Sequence, residues 1–283
     1  MSDGGKVLLL WLAASVLPAQ QPAEPSPAPV LVYDRRPLRV PLACRAEEFQ
    51  AAGLECSEKA PCRVFLELAA VEAAGAKVVA AGNLHTASAT ISSLLLMSDD
   101  SGVTWSEPFQ RLPGAGFEGI QFLDAQYGWI AVQPQGALPV DPQFLLTADG
   151  GKTWRKASLW DEEGRAGLLA QFHFDSRQHG LALVDRSAAG QSTSRYELYE
   201  TQTGGVSWSL REASSRPISP KWPARASEWR VRDDPKLRTY EIERRAGENW
   251  RRVANFSSDL GACKSLEAKP AAAPANPEVR PNP

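Results

Sequence analysis

The chain has 283 residues, 43% of them hydrophobic and 23% charged, with a formal net charge of −2. This is the composition of an ordinary globular protein long enough for one large domain or two ordinary ones. The near-neutral balance excludes a global field that would draw nucleic acid or an anionic membrane surface.

At the N-terminus, Lys6 precedes the apolar run VLLLWLAASVL (7–17), and LPAQQ follows with a cleavage position after Ala19. The run is about half the ~20 residues that span a bilayer and has the length of a signal-peptide core. Residues 1–19 therefore read as a signal peptide, although Asp3 and Leu17 depart from its usual pattern. The expectation is an exported protein, periplasmic or extracellular, with no stable membrane span after cleavage. No cysteine follows the run, which argues against a lipid anchor. Residues 20–30 are rich in Pro and Ala and read as a linker. The tail 267–283 has the same character and is expected to be disordered, leaving 31–266 as the folding region.

The four cysteines are Cys44, Cys56, Cys62 and Cys263. An even number in an exported chain points to two disulfides, with three possible pairings. Cys56 and Cys62 close the short loop CSEKAPC, which leaves Cys44 and Cys263 to tie the ends of the folding region together. The alternative pairs Cys62 with Cys263. There is no C-x-x-C, and no histidine lies near a cysteine in sequence, so neither zinc nor any other metal is expected.

FLELAAVEAAG (65–75) passes for a helix on composition, but the following AKVVAAGN makes it an opening strand. Next comes SDDSGVTW (98–105), and then TADGGKTW (147–154), both of the form [ST]-x-D-x-G-x-T-W. The second contains Gly-Lys-Thr, the end of a phosphate-binding loop. That loop needs glycine at position 146, where the chain has Leu146, and no helical stripe follows. A calcium loop fails as well, because Asp149 is followed by two glycines and Lys152 instead of further oxygen ligands. TQTGGVSW (201–208) keeps the frame, with Thr203 in place of the aspartate, and ERRAGENW (243–250) keeps only Gly247 and Trp250. The four octamer tryptophans, Trp105, Trp154, Trp208 and Trp250, lie 49, 54 and 42 residues apart. Repeats of about 50 residues belong to propeller blades.

A second motif alternates with the octamers. FLDAQYGW (122–129) and FDSRQHGL (174–181) each place glycine six residues after phenylalanine and lead into the strand-like runs WIAV and LALV. Short apolar strands, SLLLM, QFLLT and YELYE, precede the first three octamers, and LRTYEIERR precedes the fourth.

On these residues the chain resembles the Asp-box, or BNR, repeat of sialidase-like and many non-enzymatic propellers. The Asp-box together with F-x-D-x-x-x-G-W is most similar to the propeller family of the photosystem II stability and assembly factor. The resemblance covers about 62–256 and implies an all-β propeller, of which four to five blades are visible. It also implies a structural octamer. Ser98, Asp100, Gly102 and Trp105 in the first copy correspond to Thr147, Asp149, Gly151 and Trp154 in the second, and Gly205, Trp208, Gly247 and Trp250 persist in the decayed copies. In the second copy, Asp149 is expected to cap its own turn, Gly150 and Gly151 to adopt positive φ, Trp154 to pack between sheets and Lys152 to face solvent.

An enzyme reading has weaker footing. Sialidases carry an arginine triad, a tyrosine nucleophile and an aspartate acid/base, and their first arginine follows an aromatic residue. LRVP (38–41) places Arg39 at the matching position without the aromatic. Asp161, Glu162 and Glu163 offer carboxylates of the kind glycosidases pair, but WDEEGR reads as a solvated loop. His85, His173 and His179 are scattered and compose neither a triad nor a metal set. The photosystem family's arginine-rich patch has no residue-by-residue match. The run 225–252, nine basic residues against six acidic, a net of +3, reads as a solvated strand face.

The expectation is thus a non-catalytic binding propeller without a cofactor. The links 83–92, 133–143 and 185–195 are polar and should share the face opposite the octamers. Equivalent loops on one face point to a binding surface, against the plain reading that unconstrained loops vary. His85, Asp141, Arg186 and Arg195 are the candidate binding residues there. The expected partner is a protein, as for an envelope assembly factor; the alternative is a sialidase-like glycosidase or carbohydrate-binding propeller.

Overall fold

The computed structural model describes residues 29–135, 141–160, 165–187, 195–222 and 227–267. The expected signal peptide, most of the linker, the tail beyond 267, Asp161, Glu162, Glu163 and Arg225 lie outside the described residues. A two-residue strand β1 (Leu31–Val32) and a six-residue helix α1 (Ala46–Ala51) precede the repeats. Blade I contains β2 (Cys62–Ala74), β3 (Lys77–His85) and β4 (Thr90–Ser98), and β5 (Thr104–Trp105), which follows its octamer, pairs with β1 beside the isolated Met97–Ser106 bridge to β4. Blade II contains β6 (Ala115–Phe122), β7 (Gly128–Pro134), β8 (Gln143–Thr147) and β9 (Arg155–Ser158). Blade III contains β10 (Leu168–Phe174), β11 (Gly180–Asp185), β12 (Tyr196–Thr201) and β13 (Ser209–Ser214). Blade IV has three strands, β14 (Trp229–Asp234), β15 (Thr239–Ala246) and β16 (Asn249–Ser257), and β17 (Asp259–Cys263) returns to pair with β2. Within each blade consecutive strands pair antiparallel, with β17 added at the edge of blade I, so the fold is an all-β propeller with four blades among the described residues.

The segment before Cys62 supplies a strap and a cap; among the described residues it adds no fifth blade. β1 pairs with β5, and Leu38 exchanges backbone hydrogen bonds with Asn255 and Ser257, 2.8 Å each, along the outer edge of blade IV. Helix α1 buries Phe49 in the core that blades IV and I share. The disulfides are Cys44–Cys263 and Cys56–Cys62, so the alternative bond between Cys62 and Cys263 is not made.

Three hydrophobic clusters fill three interblade interfaces. Ile242 and Phe256 of blade IV join Leu66, Leu96 and Trp105 of blade I. Val79 and Leu95 of blade I join Phe117 and Ile130 of blade II. Trp129 and Phe144 of blade II join Phe174 and Val184 of blade III, with the Trp129 and Phe174 rings stacked at 3.9 Å. These clusters link the blades in the order IV, I, II, III.

The octamers follow the same order. Gly102 lies so close to Val253 of blade IV that a Cβ there would collide with its Cγ1. Gly151 sits against Met97 of blade I and Gly205 against Leu146 of blade II, both at positive φ. In the decayed fourth octamer, no atom of the described residues lies within 4 Å of a Cβ built on Gly247. The outward face of blade IV is an ion-pair ladder. Arg230 binds Glu243 at 2.7 Å, Arg232 and Arg252 both hold the buried Glu241, and Arg230 covers the Trp250 ring at 4.2 Å. Four of the basic residues of this region, Arg230, Arg232, Arg244 and Arg252, are thus in ion pairs, which gives the blade a polar outer face.

Several residues expected in links belong to strands, Asn83 inside β3 and Gln133 inside β7 among them, and the first link shortens to the turn 86–89. Asn83 donates to the Phe117 carbonyl at 3.3 Å and accepts its N–H at 2.7 Å, across the blade I–II interface. Gln133 accepts the Leu169 N–H at 3.5 Å across the next interface. Both contacts fall beside bulges in the innermost strands, where neighbouring backbone groups leave the ladder. A carboxamide can occupy a strand interior when its polar atoms are bonded there.

Candidate functional site: the loop end between blades II and III

The octamers are self-contained turns. Asp149 accepts the Thr147 hydroxyl at 2.9 Å, the Thr153 N–H at 2.9 Å and the Thr153 hydroxyl at 2.6 Å. Asp100 does the same with Ser98 and Thr104 and also accepts the Val103 N–H. The Thr153 and Thr104 hydroxyls are the largest influence that holds these two carboxyls down at about 2. Trp105 and Trp154 each donate their indole N–H to the octamer's own glycine carbonyl at 3.0 Å, and Lys152 is exposed. In the third copy Thr203 accepts the Ser207 N–H at 2.9 Å in place of the aspartate.

The opposite end of the blades carries different chemistry. Glu197, at the start of β12, is buried with its side chain only 6% exposed. Its carboxylate accepts from Arg165 at 3.1 Å, from Arg186 at 3.2 Å and from the Tyr199 hydroxyl at 2.6 Å. Arg165 also donates to the Tyr199 oxygen at 2.8 Å, and Arg186 Nε donates to the Ala166 carbonyl at 3.0 Å. Both guanidiniums lie over the Trp160 ring, 5.2 and 5.4 Å from its centroid. Burial and the bond to Glu197 push the Tyr199 phenol up to about 12, so it remains a donor at any physiological pH. Three segments build the cluster: Trp160 follows β9, Arg165 precedes β10, and Arg186 and Glu197 flank the β11–β12 link.

Asp141 stands on the same rim, just before β8. Burial pushes its carboxyl up to about 6, against the pull of the Ser158 hydroxyl and the Trp160 and Leu159 amides. Arg195 joins through its backbone, its carbonyl accepting the Arg186 N–H at 2.7 Å, while its side chain covers Tyr196 and pairs loosely with Asp185 at 3.7 Å. The fold therefore gathers Asp141, Arg186 and Arg195 at one blade end. It leaves His85 apart on blade I, beside Phe65 and bonded to the Thr86 carbonyl. Sequence reasoning missed Arg165, Trp160, Glu197 and Tyr199. Glu197 and Tyr199 sit in the strand YELYE, where alternation places both on one face.

The remaining candidates lie elsewhere. Arg39 is exposed on the outer rim, next to Leu38 at the edge of β16. His179 bridges Asp175 at 2.7 Å and Glu200 at 2.8 Å, and His173 meets the Trp222 ring edge-on at 5.9 Å. Among the described residues no group of three or more His, Cys, Asp or Glu is arranged to hold a metal ion.

No protein-family model matches the chain, and no curated protein matches it. Among solved structures it is similar to a GH74 xyloglucanase from Xanthomonas campestris, at 16% identity and a TM-score of 0.36, over 48% of this chain and 18% of that one. It is similar to YCF48 bound to D1 peptide, at 17% identity and a TM-score of 0.33, over 68% and 55%. It is also similar to a Penicillium chrysogenum alpha-L-arabinanase complexed with arabinobiose, at 13% identity and a TM-score of 0.36, over 67% and 60%. The chain spans less than two thirds of the length of each of these proteins.

Proposed function

We propose that this is an exported, non-catalytic propeller whose loop face binds a protein, with Arg165 and Arg186 at the centre of the contact. The observation that carries the reading is the Glu197 cluster. Arg, Trp and Tyr dominate the energetics of protein interfaces, and arginines fixed before contact lose less side-chain freedom on binding. Here one buried carboxylate and one indole hold two arginines at the loop end, with Trp160 and Tyr199 beneath them as a rigid support. Such a surface suits a carboxylate-bearing protein segment, which arginine grips in two-point fashion. Two disulfides accord with an oxidising compartment, and among the described residues no helix is long and apolar enough to cross a membrane. The test is capture of partners from an envelope extract by the native chain and by an Arg165→Gln/Arg186→Gln/Glu197→Gln variant, which removes the cluster without orphaning a buried charge. Loss of the captured protein supports the reading; unchanged capture removes it.

A second reading, carbohydrate binding, rests on a separate feature. A cavity of about 270 Å³ beside the innermost strand β10 is lined by Glu118, Gln171, Phe172, His173 and Trp222. The Trp222 indole donates to Gln171 Oε1 at 2.7 Å, which fixes the ring. Aromatic faces beside a carboxylate and an amide are the chemistry of a sugar platform. Retention on a glycan array that disappears in Trp222→Ala would favour this reading over the first.

A further inference from the structure

The two disulfides meet across one strand pair. In the β17–β2 ladder, Cys263 lies directly opposite Cys62. Directly opposed residues of an antiparallel pair project from the same face, with Cβ atoms about 4.5–5.5 Å apart. Neither is bonded to the other: Cys62 is joined to Cys56 across six residues, and Cys263 to Cys44 across 219. A cross-strand bond at this position needs little backbone movement, because a disulfide spans Cα separations of about 4.4–6.8 Å. The two bridges also differ in access. Cys56 and Cys62 are half-buried and flank the exposed loop 57–61, whereas Cys263 is wholly buried.

We propose that Cys56–Cys62 is a thiol-exchange site, opened by a partner dithiol, from which exchange passes to Cys263 and releases Cys44. The dithiol attacks the Cys56 sulfur, and Cys62 leaves as a thiolate. The second thiol of the partner resolves the mixed disulfide at Cys56, so the partner is oxidised by two electrons and Cys56 becomes a thiol. The Cys62 thiolate attacks the Cys263 sulfur, breaks the Cys44–Cys263 bond and forms Cys62–Cys263. Cys44 departs as a thiolate and takes a proton from water. Exchange of this kind is governed by thiolate supply and access, and here the acceptor sulfur is held beside the attacking one.

The consequence follows from where Cys44 sits. It stands two residues before α1, and its bond to Cys263 is the covalent tie between the N-terminal strap and β17. After exchange the strap retains its hydrogen bonds, among them Ala46 N–H to the Glu267 carbonyl at 2.8 Å and Glu267 N–H to the Cys44 carbonyl at 2.7 Å, without the covalent tie. The cap carrying Phe49 becomes releasable while the new Cys62–Cys263 bond ties β17 to β2.

The experiment is disulfide mapping by mass spectrometry after rapid alkylation and acid digestion. In Cys56→Ser, a peptide joining Cys62 to Cys263 with Cys44 alkylated is expected. Only Cys44–Cys263 with Cys62 alkylated would overturn the proposal. In the native chain treated with dithiothreitol, the Cys62–Cys263 peptide should build before any Cys263 becomes alkylated. In Cys62→Ser, Cys44–Cys263 should survive the same treatment; equally fast opening there would also overturn the proposal.

Discussion

Asn83 holds Phe117 by both of its backbone polar groups, accepting the N–H at 2.7 Å and donating to the carbonyl at 3.3 Å. The contact joins blades I and II at the bulge in β6, where Phe117 and Gly119 step out of register. Replacing Asn83 by Leu would leave two buried backbone groups unpaired, at a cost of about 1–3 kcal/mol each before relaxation. The expected outcome in urea unfolding is a lower midpoint with an unchanged slope. An unchanged midpoint would mean that the carboxamide contributes nothing to the joint between the blades.

The octamers predict an acid-dependent stability. The Asp149 and Asp100 carboxyls are held at about 2 in the fold against an ordinary 3.8. Groups with depressed values stabilise the fold above the unfolded value and lose that contribution as pH falls through the folded one. The native chain should therefore lose stability between about pH 4 and pH 2. Asp149→Ala should lower the thermal midpoint at pH 7 and converge on the native chain near pH 2. Parallel curves over this range would show that the carboxyl is not the turn's cap.

That turn chemistry was legible in the sequence because it is local. Every bond Asp149 makes lies within four residues, and the glycines it needs adjoin it. The contacts that build the candidate site are not local. Arg165 reaches Glu197 across 32 residues and Asn83 reaches Phe117 across 34, so no short motif marks either. Asn83 and Gln133 read as loop residues because an amide is polar; the fold buries them by giving each a backbone partner. Blade IV was legible only as a decayed repeat. How that decayed octamer is seated depends on what packs against Gly247, which periodicity does not contain.

Two equivalent octamer tryptophans differ in burial. Trp105 is wholly buried and edge-on to Phe256, whereas Trp250 is partly buried beneath Arg230. Trp105→Ala should cost about 3–5 kcal/mol, as large aromatic truncations in a core do. Trp250→Ala should cost clearly less, and calorimetry of the two variants compares them directly. Equal losses would mean that blade IV packs against a neighbour on its outer face.

His179 predicts the opposite pH trend on blade III. Hydrogen bonds from its ring to Glu200 and Asp175 raise its pKa above the ordinary 6.5. A raised histidine contributes its full stabilisation below the unfolded value and loses it as pH rises through the folded one. The thermal midpoint should therefore decline above about pH 6.5 in the native chain. The decline should be shallower in His179→Gln. If the variant follows the native profile, the imidazolium does not clasp these two carboxylates.

Partners are expected to meet the loop end and not the octamer end, which site-specific photocrosslinking in the producing cell distinguishes. A benzophenone side chain is placed at Ser187, beside Arg186 on the loop face, or at Lys152, exposed on the octamer turn. A discrete protein adduct is expected from position 187, lost in the Arg165→Gln/Arg186→Gln/Glu197→Gln background, and none is expected from position 152. An adduct from position 152 alone, or one from position 187 that persists without the arginines, would contradict it.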